Sequence, residues 1–138
     1  MPTLLLLDDD RVFRRILSAA LQRRGYKVVE AGRASEANVL IEGSNPDLLL
    51  VDGLLPDATG VSWIEGLRAR GRKTPVIFVS SFWKSMPDFL KVTRTLGDTQ
   101  LLSKPVLPDA VADRVDLRLG RIDALPGLAA DRPAPTEP

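Results

Sequence analysis

The runs Leu4 to Leu7 and Leu48 to Val51 are apolar at every position. A strand with one wet face alternates, so runs without alternation mark strands buried on both faces, which belong to parallel sheets sandwiched between helices. Between the two runs, Phe13, Ile16, Leu17, Ala20 and Leu21 recur at helical spacing, and Gly25 supplies the stop. Tyr26 to Ala31 reads as a strand whose Lys27 and Glu30 mark it as an edge. A helix is expected from about Arg33 to Glu42, burying Ala37, Leu40 and Ile41, before Gly43, Asn45 and Pro46 break the chain. After the loop Gly53 to Gly60, a third helix buries Val61, Ile64 and Leu67 and ends at Gly71. Pro75 introduces a strand from Val76 to Val79, and a helix is expected from Pro87 to Leu96 with Leu90 and Leu96 inward. Gln100 to Ser103 forms a second edge strand, and a last helix from Pro108 buries Val111, Val115, Leu119 and Ile122. Five βα units in strict alternation predict an α/β fold, a doubly wound parallel sheet with helices on both faces. Residues 1–122 make up this domain, and 123–138, rich in Pro, Ala and charge, read as a flexible tail or linker.

In such a sheet the ends of the strands converge on one crevice. Asp8, Asp9 and Asp10 follow the first apolar run, Asp52 closes the second, Ser80 ends the fourth strand, and Lys104 follows Leu101 and Leu102. Asp10 is read as the N-cap of the first helix. Asp8, Asp9 and Asp52 are read as a cluster, and carboxylates brought to about 4 Å repel by roughly 4 kcal/mol at an effective dielectric of 20, so they call for a cation. Each residue also has an ordinary role open to it. Asp52 could cap the turn into the third helix, Lys104 could be solvated, and Ser80 could be a plain strand-end serine. A shared position at successive strand ends is what the ordinary roles leave unexplained, and it reads as a magnesium-dependent phosphoacceptor centre.

Composition narrows the chemistry. The 138-residue chain has room for one domain with a proper core. It has neither Cys nor His, so disulfides and soft or imidazole metal ligands are excluded and any metal must sit on oxygen: magnesium, calcium or manganese. Its 19 basic and 18 acidic residues are interspersed along the helices, which gives no reason to expect a nucleic-acid surface. The N-terminus lacks the basic start and long apolar stretch of a signal peptide, and no segment approaches membrane-spanning length, so a cytoplasmic location is expected.

The segments Leu4 to Asp9, Leu48 to Asp52 with Pro56 and Gly60, Pro75 to Ser80, and Lys104 with Pro105 together resemble the receiver domain of bacterial two-component response regulators, over about residues 3 to 120. The resemblance implies a flavodoxin-like fold with strand order 2-1-3-4-5, in agreement with the two edge strands read from the residues. It implies that Asp52 accepts a phosphoryl group from a histidine kinase or phosphotransfer protein, that Asp8, Asp9, Asp52 and the backbone carbonyl of Leu54 hold magnesium, with manganese as a substitute, and that Ser80 and Lys104 meet the phosphoryl oxygens. A cis Lys104–Pro105 bond is implied as well. Such a protein is a self-phosphorylating and self-dephosphorylating switch rather than a turnover enzyme, and it acts on an output partner or effector domain. No effector domain follows Leu119, so the chain reads as a stand-alone receiver or the front of a longer regulator.

Three positions depart from the family pattern. Leu101 stands where an aromatic switch residue is usual, Thr59 where many members have an acid, and Phe82 with Trp83 makes the loop after Ser80 bulky. Those rings could cover the site, face a partner or pack on the following helix. Two other functions were weighed: a degenerate receiver acting as a phosphorylation-independent interaction module, and a small magnesium-dependent phosphatase, which the lack of a second catalytic acid after Asp52 disfavours. Receivers often pair through the surface of the last two helices and the last strand. Here Lys91, Arg94, Asp113, Asp116 and Arg118 give it the mixed charge of a homodimer contact.

Overall fold

The computed structural model of the protein describes residues 1–81, 94 and 96–125. Within them, strands β1 (Thr3–Leu7), β2 (Lys27–Ala31), β3 (Leu48–Val51), β4 (Val76–Ser80) and β5 (Thr99–Ser103) form one parallel sheet in the order β2-β1-β3-β4-β5. The described helices are α1 (Arg11–Arg23), α2 (Ala34–Ser44), α3 (Gly60–Ala69) and α4 (Pro108–Arg118). This is the expected flavodoxin-like arrangement, with β2 and β5 at the edges. The helix expected from Pro87, the rings of Phe82 and Trp83, Lys91 and the tail from Pro126 lie outside the described residues; Leu96 is described and buried.

Two apolar clusters, one on each face, explain the unbroken leucine runs. Leu5, Leu7, Leu49 and Val51 point to the face covered by α2 and α3, where they meet Ala37, Ile41, Ile64 and Leu67. Leu4, Leu6, Leu48 and Leu50 point to the other, against Leu17 and Leu21 of α1 and Val111 and Val115 of α4. A strand covered this way has no position that tolerates a polar side chain. Truncating one of these leucines to alanine should cost about 2–5 kcal/mol.

Local signals set most of the boundaries. Asp10 caps α1 by accepting from the Phe13 N–H, as its reading as an N-cap anticipated. Gly25 leaves the helix at φ +91°, a conformation that side-chain-bearing residues rarely adopt. Gly43 does not break α2. The helix runs on to Ser44, and Asn45 closes it in the left-handed conformation at φ 45°. Ile16, expected inside, is 53% exposed, because α1 turns Leu17, Ala20 and Leu21 inward and leaves Ile16 at the margin of that face.

Candidate functional site

The order in which strands are added reverses between β1 and β3 of the all-parallel sheet, and at such a switch point the strand ends open a crevice. In-register pairing fills it. Leu7 lies opposite Val51, and the Asp52 N–H donates to the Leu7 carbonyl at 2.9 Å, so Asp8 and Asp52 leave adjacent strands side by side. Ser80 pairs with Ser103 across β4 and β5, and the Lys104 N–H donates to the Ser80 carbonyl at 3.1 Å, which brings Lys104 to the same rim. The Lys104–Pro105 bond is cis, as expected.

Carboxylate oxygens of Asp8, Asp9 and Asp52 lie within 4.8 Å of one another. Asp8 is buried, Asp52 half-buried and Asp9 exposed, so the group is closed toward the core and open toward solvent. Lys104 Nζ donates to Asp8 Oδ2 at 2.9 Å and stands 3.7 Å from Asp52 Oδ2. A cleft of about 400 Å³ lies over these groups, lined by Asp9, Asp52, Leu54, Leu55, Pro56, Ser80 and Ser81. Leu54 therefore belongs to the site wall. Its N–H also leans on Asp52 Oδ1 at 3.4 Å.

Three carboxylates against one ammonium leave the site short of positive charge. Burial pushes the Asp8 carboxyl up to about 6, and the Asp52 charge adds to that rise, against the lowering pull of Lys104 and of the Asp10 N–H. Burial works against the Lys104 charge too, but the hydrogen bond to Asp8 and the fields of Asp8, Asp52 and Asp10 outweigh it and raise the ammonium above its usual range. Asp8 thus holds its proton mainly because it is buried, and Lys104 holds its own mainly through Asp8. Hard carboxylate oxygens at this spacing fit a divalent cation such as magnesium or manganese.

Further residues support the site from behind. Arg14 donates to the Asp8 backbone carbonyl at 2.7 Å and to Glu30 at 3.0 Å, fixing the strand end that presents the acids. A Cβ on Gly60 would lie 2.2 Å from the Asp52 carbonyl oxygen, so α3 reaches the acceptor strand only because its first residue lacks a side chain. Asp57 accepts from the Ala34 and Ser35 N–H groups, capping α2 from the loop that follows Asp52. The depression of its carboxyl pKa comes from those bonds. Gly60 stands with Asp52 and Pro56 in the segment that carried the family resemblance, which was the available clue to its role. Arg14 and Asp57 act through tertiary neighbours that spacing does not reveal.

The departures also find their places. Thr59 is the N-cap of α3 and accepts from the Ser62 N–H at 3.0 Å, a role a hydroxyl performs as well as a carboxylate. Leu101 lies beside Phe78 in the strand register and is partly buried against the α2–α3 cluster. Three of the five charges that suggested a homodimer face have partners within the chain, and Lys91 lies outside the described residues. Asp113 and Asp116 accept from Arg24, and Arg118 pairs with Asp98.

The model of the response regulator receiver domain matches residues 4–116. The chain is 35% identical over 103 residues to the Regulator of RpoS of Escherichia coli, an alignment covering 75% of this chain and 30% of that protein. It is 35% identical over 127 residues to the transcriptional activator protein PfeR of Pseudomonas aeruginosa, covering 91% and 41%. The chain thus spans less than half the length of these two relatives. Among solved structures, the receiver domain of the Francisella response regulator 1452 superposes with a TM-score of 0.78 at 27% identity, over 88% of this chain and 98% of that one. No helix among the described residues is long and apolar enough to cross a membrane. A family match spanning β1 to α4, on a sheet of the same order with its acids gathered at the strand ends, places the chain in the response regulator receiver domain family.

Proposed function

We propose that this receiver is a working phosphoacceptor switch, in which Asp52 takes a phosphoryl group from the phosphohistidine of a histidine kinase or phosphotransfer protein. One observation carries the reading: Asp8, Asp9 and Asp52 converge within 4.8 Å while Lys104 reaches Asp8 and Asp52 at 2.9 and 3.7 Å. Asp8, Asp9, Asp52 and the Leu54 carbonyl would hold magnesium, with manganese as a substitute, as receivers typically do at their acidic pocket. When bound, the ion supplies the positive charge that the three carboxylates lack.

An Asp52 carboxylate oxygen forms the new bond to phosphorus as the bond from phosphorus to the donor imidazole nitrogen breaks, with the electron pair leaving on that nitrogen. Lys104 neutralises charge on the transferring oxygens, and the Ser80 hydroxyl donates to one of them, so the protein's contribution is positioning and electrostatics. Later hydrolysis of the acyl phosphate resets the switch, and the phosphorylated surface biases association with an output partner or effector domain. Val12 and Ile16 on α1 and Leu107 before α4 are 69%, 53% and 75% exposed, apolar side chains suited to contact with the phosphodonor protein.

Incubation with a small phosphodonor and magnesium, followed by intact mass, tests this. Wild type should gain one phosphoryl group and Asp52→Asn none. No gain in wild type would favour the phosphorylation-independent module, and continuous consumption of the donor would favour a phosphatase.

A further inference from the structure

The Lys104 ammonium is held from three directions. Two are the carboxylates of Asp8 and Asp52, and the third is the ring of Phe13, whose centroid lies 4.4 Å from Nζ. Such a contact is within the range where a ring face attracts a cation.

The place of Phe13 is set by the same segment that presents the acids. Asp8 Oδ1 accepts from the Asp10 N–H at 2.9 Å, and Asp10 Oδ1 accepts from the Phe13 N–H at 3.1 Å as the cap of α1. Lys104 then closes the circuit by donating to the other oxygen of Asp8. Four residues thus form one closed loop of contacts, from Asp8 through Asp10 and Phe13 to Lys104 and back. Phe13 is half-buried, and its partly buried ring also packs against the α1–α4 cluster, so the ring cannot leave without disturbing the core. A lysine is a point charge on a flexible stem. Two acids alone would let it swing between them, whereas the ring face fixes its third side and keeps water from it.

We infer that Phe13 is a positioning residue, whose ring face holds the Lys104 ammonium where a phosphoryl oxygen in transfer to Asp52 will meet it. This rests on the phosphoacceptor reading above. With phosphoramidate as donor, an Asp52 oxygen forms the P–O bond while the P–N bond breaks and its electron pair leaves on nitrogen as ammonia.

The test replaces Phe13 with mono-, di- and trifluorinated phenylalanine, which drain the ring face while nearly keeping its shape, beside Phe13→Tyr and Phe13→Leu. With magnesium and phosphoramidate, the rate of phosphoryl gain by intact mass should fall stepwise with fluorine count, by about three- to tenfold at the trifluorinated ring. Phe13→Tyr should keep most of the rate, and Phe13→Leu should fall as far as the trifluorinated ring, with melting temperatures unchanged along the fluorine series. The Lys104 Cε protons should be shifted upfield by the ring in wild type and should return in Phe13→Leu. A rate flat across the fluorine series, a rate that tracks melting temperature instead of fluorine count, or unshifted Cε protons in wild type would overturn the inference. A wild type that shows the ring shift but takes up no phosphoryl group would overturn the phosphoacceptor reading, and the positioning role with it.

Discussion

Two clusters of buried acid sit at opposite ends of the sheet and differ in how their charge is met. Beside the start of β2, Asp116 accepts from Tyr26 and from Arg24 at 2.9 Å, Asp113 accepts from Arg24 at 2.7 Å, and Arg121 lies over the Tyr26 ring at 4.5 Å. Asp109 adds a third acid, 3.6 Å from Arg24, so three acids meet two guanidinium groups there. Burial and the bond to Asp116 push the Tyr26 hydroxyl up to about 12, and the bonds Arg24 donates to Asp113 and Asp116 raise its pKa. At the strand ends, three acids share one lysine. The first cluster ties α1 to α4, whereas the second has one cation for its three acids. Burial of an acid is therefore a poor guide to function, and the balance of charge around it is a better one.

The largest contrast should come from removing one acid or one base in each place. Asp52→Asn should abolish phosphoryl uptake and, in the absence of metal, stabilise the fold by about 1 kcal/mol, since repulsion from Asp8 and Asp9 outweighs the loss of Lys104. Urea denaturation in chelator measures it, and destabilisation would mean that the acids are already balanced. Gly60→Ala should follow, costing about 1–3 kcal/mol, because its Cβ would lie 2.2 Å from the Asp52 carbonyl oxygen and the acceptor turn must shift. Phosphorylation of that variant should slow more than its stability loss explains. Arg24→Ala should cost about 2 kcal/mol by leaving the buried Asp116 short of its partner, yet leave the phosphorylation rate unchanged. A slowed rate in that variant would show that the two ends are not independent.

A further effect is on pH. The Asp8 carboxyl sits near 6 in the folded, metal-free protein against about 4 when unfolded, so the folded state binds the extra proton more tightly. Its contribution to stability is complete below about pH 4 and is lost as pH rises through 6. Asp57 and Asp98, whose pKa values are lowered, act in the opposite sense and lose their contribution only in stronger acid. Melting in chelator between pH 4.5 and 7 should thus show a decline that Asp8→Asn removes.

Much of this was legible in the residues. Continuous runs such as Leu4 to Leu7 betray a strand covered on both faces, and the polar ends of Thr99–Ser103 betray an edge. The acids stand directly after those runs, so once the strands were placed the site followed. Other features could not be read because they depend on what packs nearby. Gly43 lies inside a helix despite its low propensity, since the Asn45 turn supplies a better stop one residue beyond Ser44. Asp113 and Asp116 read from the sequence as part of a mixed-charge homodimer face, and only the fold sets Arg24, far off in sequence, beside them. Phe13 reads as core by spacing, and only the fold sets its ring against Lys104.

The charge excess is tested most directly by melting the wild-type protein at neutral pH in chelator and in millimolar magnesium. Because a cation bound only by the folded state stabilises it by mass action, the melting temperature should rise by about 5 °C with magnesium, and Asp9→Asn should lose most of that rise. A wild type that ignores magnesium, or a variant that responds as strongly as wild type, would contradict the claim that these three acids form a cation-dependent centre.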